Sequence, residues 1–285
     1  MLMNMKKLLA AANKHNFAVP AFNIGDWGML QGIFEISEEK EAPVIIAIHP
    51  DELVLVGRAF MKAVIERAHN SFLPVAINLD HGSSLEQVVM AVQLGYTSVM
   101  IDGSHLPFAE NVAVSKEVVR AAHAADVSVE GELGTIGSTD KEAEAGGDII
   151  LTDPDDAVKF VQETGIDALA IAIGTSHGLY PKGFVPKLNL ELLKTIKSKV
   201  SVPLVLHGGS NNSDDEIAEA VNLGVNKINI SSDIKVAYYN KMREILKDET
   251  IRTPDSATPP CVAAMKEVVA RKIDLFRTGG KVSLY

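Results

Sequence analysis

Three of the eight histidines in this 285-residue chain stand just past short apolar runs: His81, His177 and His207. Three neutral imidazoles from separate strands, with one coordination position left open, are what a catalytic zinc site needs. A lone histidine in such a place is more often a polar loop residue. Three aimed at one rim make that reading the minority one. Asp80 directly precedes His81, and a carboxylate beside a metal but not needed as a ligand is positioned to move protons. Its plainer role would be a strand-end cap. Asp102 and Glu132 fall in the same region, either as hydrogen-bond partners of ligands or as an alternative metal position. Asn23 either contacts substrate or is a polar strand end bonded to nearby backbone.

A second kind of chemistry is carried by Gly208-Gly209-Ser210 and Asn229-Ile230-Ser231-Ser232. Glycines let backbone N–H groups approach an anion and hydroxyls complete the cradle, so these two stretches predict a phosphate site. The remaining histidines form the background. His15, His69 and His123 sit on or beside predicted helices, His105 suits hydrogen bonding, and His49 ends a strand and could point into the site.

Short β-branched runs must position these residues. They are Ala18–Phe22, Pro43–Ile48, Pro74–Leu79, Ser98–Ile101, Val127–Leu133, Ala168–Ile173, Pro203–Leu206 and Lys227–Ile230. Helical patterns alternate with them: Leu30–Lys40, Ala59–His69, Ser84–Gln93, Ala109–Ala124, Pro154–Thr164, Leu190–Lys199 and Asp214–Asn222. Ser84 and Asp153 read as helix caps. Eight near-continuous apolar strands separated by helices predict an α/β fold, a single (β/α)8 TIM barrel over 1–285. An open doubly wound sheet is disfavoured because Phe22-Asn-Ile-Gly25 stands where a G-x-G-x-x-G turn belongs. Met1–His15 reads as a helix closing the barrel bottom. The tail after Ile251 reads as a loop, a helix from about Cys261 to Phe276, and a Gly- and Lys-rich end.

Composition narrows the partners. Hydrophobic residues make up 47% of the chain, enough for a sizeable core, and the net charge of −10 argues against nucleic acid or an anionic membrane. Cys261 is the one cysteine, so neither a disulfide framework nor a thiolate metal site can form, which suits a reducing cytoplasm. No signal peptide or membrane span is expected. A small molecule and other protein chains are the expected partners.

Seven stretches in order along the chain resemble the class II, zinc-dependent fructose-bisphosphate and tagatose-bisphosphate aldolase family. They are Val19-Pro-Ala-Phe-Asn23, Leu79-Asp-His-Gly82, Met100-Ile-Asp-Gly-Ser-His105, Val129-Glu-Gly-Glu-Leu-Gly134, Ala172-Ile-Gly-Thr-Ser-His-Gly178, Val205-Leu-His-Gly-Gly209 and Lys227-Ile-Asn-Ile230. The resemblance implies that His81, His177 and His207 bind catalytic Zn2+, with Asp102 and Glu132 at the alternative metal position. It implies that Asp80 exchanges a proton with the substrate C4 hydroxyl. Gly178, Gly208 to Ser210 and Asn229, Ile230, Ser231 and Ser232 match the residues that hold dihydroxyacetone phosphate, with sodium or potassium implied more weakly beside them. A homodimer or homotetramer is implied as well.

The match breaks at three places. The loop Gly134-Thr-Ile-Gly-Ser-Thr-Asp-Lys-Glu142 lacks the family's Gly-Gly-x-Glu-Asp pattern, leaving Asp140 by position, or Glu142, as the second proton carrier. His49 stands where the family has a small residue, and Thr258–Met265 lacks the arginine that often precedes the last helix. Both places help recognise the aldehyde half. The expected reaction is cleavage of a ketose 1,6-bisphosphate to dihydroxyacetone phosphate and an aldehyde such as glyceraldehyde 3-phosphate. The alternative is the same chemistry on a ketose 1-phosphate whose aldehyde half is unphosphorylated. A metal-dependent sugar-phosphate epimerase or a hydrolase is a more distant competitor. A non-catalytic barrel would predict a broken metal triad or a missing Asp80.

Overall fold

Parallel strands buried on both faces must be apolar outside and can be small or polar inside, and this alternation organises the chain. A computed structural model describes residues 1–138, 149–178, 186–210 and 212–285. Eight parallel strands close a barrel: β1 (Val19–Asn23), β2 (Val44–Ile48), β3 (Val75–Gly82), β4 (Ser98–Ile101), β5 (Ser128–Leu133), β7 (Ala168–Ile171), β9 (Leu204–Leu206) and β10 (Val225–Ile230). Their order around the barrel is β1-β10-β9-β7-β5-β4-β3-β2. Two short strands, β6 (Gly137–Ser138) and β8 (Ser176–His177), pair in a separate sheet above it. The architecture is the (β/α)8 barrel expected from the alternation.

Ile46, Ile48, Ile77, Leu79, Leu169, Ile171, Leu206 and Ile230 belong to the outer core packed under the helices. The residues in antiphase, including Ala21, Ile45, Ala47, Ala76, Ala168, Ala170 and Val205, line the interior. Met5, Leu8, Leu9 and Ala12 of α1 (Met5–His15) join that inner cluster and plug the bottom, as expected. The five alanines in this set leave room, so chemistry-bearing residues on the same phase reach the barrel axis.

The wrapping helices are α2 (Trp27–Glu39), α3 (Pro50–His69), α4 (Leu85–Leu94), α5 (Phe108–His123), α6 (Pro154–Thr164), α7 (Leu190–Lys199), α8 (Asp214–Asn222), α9 (Ser232–Ile245) and α10 (Pro254–Leu275). Ser84 and Asp153 cap α4 and α6 through their side chains. Three helices differ from the sequence reading by more than a turn. Helix α3 begins at Pro50 rather than Ala59, because His49 and Glu52 form a capping box and Gly57, at φ 72°, then breaks the path. Helix α9 was not foreseen, since its buried stripe is thin: Ile234 and Tyr238 are its buried residues. Helix α10 starts at Pro254 rather than Cys261 and runs through Pro259 and Pro260. Close packing overrides the proline penalty there. A Cβ on Gly32 of α2 would stand 2.7 Å from Val262 and 2.9 Å from Met265, so the two helices meet where one lacks a side chain. No helix among the described residues is long and apolar enough to cross a membrane.

Candidate active site

Successive residues in a strand face opposite sides, so Asp80 and His81 should not both enter the barrel. They do, because the end of β3 is irregular. His81 has φ 50°, an uncommon conformation outside glycine, and the β3–β4 register shifts between Leu79 and Gly82. A Cβ on Gly82 would lie 2.6 Å from the Met100 carbonyl oxygen, so this tight passage requires glycine. The bulge turns the His81 ring inward beside its neighbour.

Asp80 is buried and held by two amides. Asn23 Nδ2 donates to Oδ2 at 2.8 Å and Asn229 Nδ2 donates to Oδ1 at 2.9 Å. Burial alone would favour the neutral acid. The charges of His81, His207 and Lys227 and the Asn23 bond outweigh it, and the carboxyl sits well below the ordinary aspartate value. The buried Oδ1 of Asn229 has no partner among the described residues.

The histidines are oriented from behind. His81 Nδ1 lies 2.8 Å from Asp102 Oδ2, and His207 Nε2 lies 2.7 Å from Glu130 Oε1. With those nitrogens donating to carboxylates, His81 Nε2 and His207 Nδ1 face one another across 3.0 Å, a contact satisfied by a single proton in the ion-free protein and open to a metal ion in its place. Burial opposes charge on His81, yet Asp80, Asp102 and Glu132 together push its pKa up to about 10 in the ion-free protein. Burial, reinforced by Asp102, raises the carboxyl of Glu132 well above its ordinary value, and its buried Oε2 has no partner among the described residues. Two groups therefore offer ligand atoms within 4.8 Å of one another: Asp80, His81 and His207, and His81, Asp102 and Glu132. Imidazoles with a carboxylate and hydrogen-bonded outer nitrogens are a donor set that fits zinc. The third expected ligand, His177, lies on β8, paired through its backbone with Ser138, and its side chain is outside the described residues.

Behind His207 stand two residues that the sequence reading passed over. Glu130 Oε2 bonds Lys227 Nζ at 2.6 Å, and both side chains are 0% exposed. Glu130 lies two residues before Glu132 on β5, and Lys227 two before Asn229 on β10. The same period-two argument that selects Glu132 and Asn229 selects these as well. Burial would raise the Glu130 pKa, but Lys227 and His207 hold it below the ordinary value.

The residues expected to hold phosphate lie at the ends of β9 and β10. Gly208 has φ 65°, and a Cβ there would meet the Ser176 carbonyl oxygen at 2.6 Å. Asn212 Nδ2 donates to the carbonyls of Gly208 at 2.6 Å and Ser210 at 3.1 Å, fixing the turn. Ser210 Oγ accepts from Asp233 N at 3.3 Å and so ties this turn to the start of α9. Lys272 of α10 anchors the same point through Asp233 at 2.7 Å. Gly209 leaves no room for a Cβ against Ile228. Ile230 is fully buried, so its main chain alone is available, while Ser231 and Ser232 open α9 without a side-chain cap bond from Ser231. Gly178, φ 87°, follows β8. His49 follows β2 and caps α3, with its ring centroid 6.3 Å from that of His81. Asp140 and Glu142 lie outside the described residues.

The family described as fructose-bisphosphate aldolase class-II matches residues 3–281. The YdjI aldolase of Escherichia coli K12 is 33% identical, with a TM-score of 0.86 over 99% of this chain and 100% of that one. A provisionally assigned fructose-1,6-bisphosphate aldolase from Coccidioides immitis is 27% identical, with a TM-score of 0.91 over 99% of both chains. A fructose-bisphosphate aldolase of Campylobacter jejuni, 22% identical with a TM-score of 0.79 over 98% of this chain and 97% of that one, shares the fold. Matched over nearly its whole length, the chain belongs to the class II fructose-bisphosphate aldolase family.

Proposed function

We propose that the chain reversibly cleaves the C3–C4 bond of a ketose 1-phosphate unit, giving dihydroxyacetone phosphate and an aldehyde, and that a phosphate at the far end of the sugar is dispensable. The observation that carries this reading is Asp80, ionised between Asn23 and Asn229 and adjacent to the facing nitrogens of His81 and His207. Zinc held by His81, His207 and His177 would supply Lewis acidity at the ketone and the neighbouring hydroxyl.

The chain's own residues supply the rest. Asp80 accepts the C4 hydroxyl proton as the aldehyde departs and returns it in the condensation direction. Its low pKa keeps it ionised and ready to accept. Asn23 and Asn229 fix which lone pairs remain for the substrate, and the Asn229 carbonyl oxygen is left to accept a substrate hydroxyl. Gly208, Gly209, Ser210, Ser231 and Ser232 receive the C1 phosphate through main-chain N–H groups and hydroxyls. Asp140 is assigned the second proton transfer, at the carbon that becomes C3, on the strength of its place in the family's loop.

A second reading, that the substrate is a 1,6-bisphosphate of the fructose or tagatose series, is favoured by the names of the matching family and structures. Both readings predict release of dihydroxyacetone phosphate, measured by coupled reduction, from a panel of fructose and tagatose 1-phosphates and 1,6-bisphosphates. Chelation should abolish it and zinc restore it. Turnover surviving complete metal removal would refute the metal-dependent reaction. Turnover of bisphosphates with none of their 1-phosphate counterparts would refute the dispensable far phosphate.

A further inference from the structure

An ion pair that no step above uses stands at the same end of the barrel as the candidate site. Barrel order places β10, β1 and β2 side by side. Glu52 follows β2 and Lys235 follows β10, and their side chains pair, so the contact links the two strands that flank β1, the strand ending at Asn23, which bonds Asp80. Glu52 also accepts from the His49 backbone N–H at 3.2 Å, and His49 Nδ1 accepts from Asp51 N at 3.3 Å. Glu52 is thereby fixed from two sides while Lys235 is fixed by Glu52. The pair is neither deep nor free in water: the side chains are 14% and 32% exposed. Asp51, 92% exposed, and Asp26, which caps α2 after β1, add negative charge to the same rim.

From this geometry we infer that Glu52 is a specificity-determining residue: by holding Lys235 it withdraws the cation from the mouth, so the pocket takes an uncharged, hydroxylated aldehyde half and turns away a second phosphate. The inference rests on the aldolase reading above and names its substrate class. A phosphate arriving at this rim meets carboxylates at Glu52, Asp51 and Asp26 while the one ammonium of the pair is already engaged. Like charge at a partly screened rim disfavours it severalfold or more. With Glu52 neutralised, Lys235 becomes available to bind the anion.

Glu52→Gln tests this while keeping an oxygen for the His49 N–H, so the helix cap is retained. Two measurements are made on the zinc-loaded protein: kcat/KM for each bisphosphate relative to its 1-phosphate, and the stoichiometry of inorganic phosphate binding by calorimetry. Glu52→Gln is expected to raise the bisphosphate preference about tenfold and to add a second phosphate site per chain. Glu52→Gln with Lys235→Met is expected to lose both gains. An unchanged preference in Glu52→Gln, gains that persist without Lys235, or a wild type that already favours bisphosphates would overturn the inference. Absence of dihydroxyacetone phosphate from every substrate would overturn the aldolase reading instead. The phosphate isotherms would still decide the role of Glu52.

Discussion

Replacing Lys227 with methionine isolates the residues behind the candidate metal centre. Met matches the length of the lysine stem but removes the ammonium that sits 2.6 Å from Glu130 in a site with 0% exposure on both sides. A fully buried carboxylate deprived of its partner costs about 3–5 kcal/mol. For a chain of this size, at roughly 2 °C per kcal/mol, melting should fall by about 6–10 °C. Two relaxations are open to the variant: Glu130 takes a proton, or His207 becomes imidazolium to balance it. The second places a proton on His207 Nδ1, the nitrogen turned toward His81, so zinc affinity should fall by about 10–100-fold. Glu130→Gln combined with Lys227→Met removes both charges and should recover most of the lost stability, because the penalty belongs to the unpaired charge. Calorimetric melts of the metal-free proteins and competition with a fluorescent chelator measure the two effects. A Lys227→Met protein melting within about 2 °C of wild type, or a double variant whose losses simply add, would refute the reasoning.

Two further outcomes follow from other groups. Asp80→Asn preserves size and removes the proton acceptor, at the cost of one of the two asparagine hydrogen bonds, so kcat should fall about 10²–10⁴-fold with little change in KM; a loss confined to KM would argue for a binding role only. At the barrel bottom, Lys197 donates to Asn13 and Asn226, and burial lowers its pKa to about 8. A lysine depressed in the folded state loses its proton there first, so the unfolded chain binds more protons between about pH 8 and the ordinary lysine value, and stability rises with pH across that window. The ammonium is only partly buried, so the screened contribution is about 1 kcal/mol. Lys197→Met should flatten the alkaline rise in melting temperature; an unchanged slope would exclude Lys197 as its source.

Much of the barrel could be read from apolar runs, because each outward strand face must pack beneath a helix. The rim residues followed from the same pattern: Asn23, Asp80, Asp102, His207 and Asn229 stand at strand ends. Glu130 and Lys227 were equally in phase and were passed over for lying mid-strand, where an ionised residue looks misplaced until its partner across the barrel is known. No local pattern announces that partner, since β5 and β10 are far apart in sequence and meet only when the barrel closes. Glu52 and Lys235 share this property: each belongs to a helix start that the sequence reading missed, and their contact depends on β2 and β10 flanking β1.

The Asp80-His81 pair shows a different limit. Strict alternation would send one of the two outward and leave either a metal ligand or a proton acceptor outside the barrel. The chain resolves this by a left-handed residue and a register slip, a conformation that costs a non-glycine residue of order 1 kcal/mol or more. Gly82 is the sequence trace of that solution, because a Cβ there would stand 2.6 Å from the Met100 carbonyl oxygen. Strain at this point is offset by what it brings together: a candidate metal ligand and a proton acceptor from adjacent positions, with Asp102 holding the ring from behind and two asparagines holding the carboxylate. A regular β3 would be the easier strand to form and would leave the barrel without its chemistry.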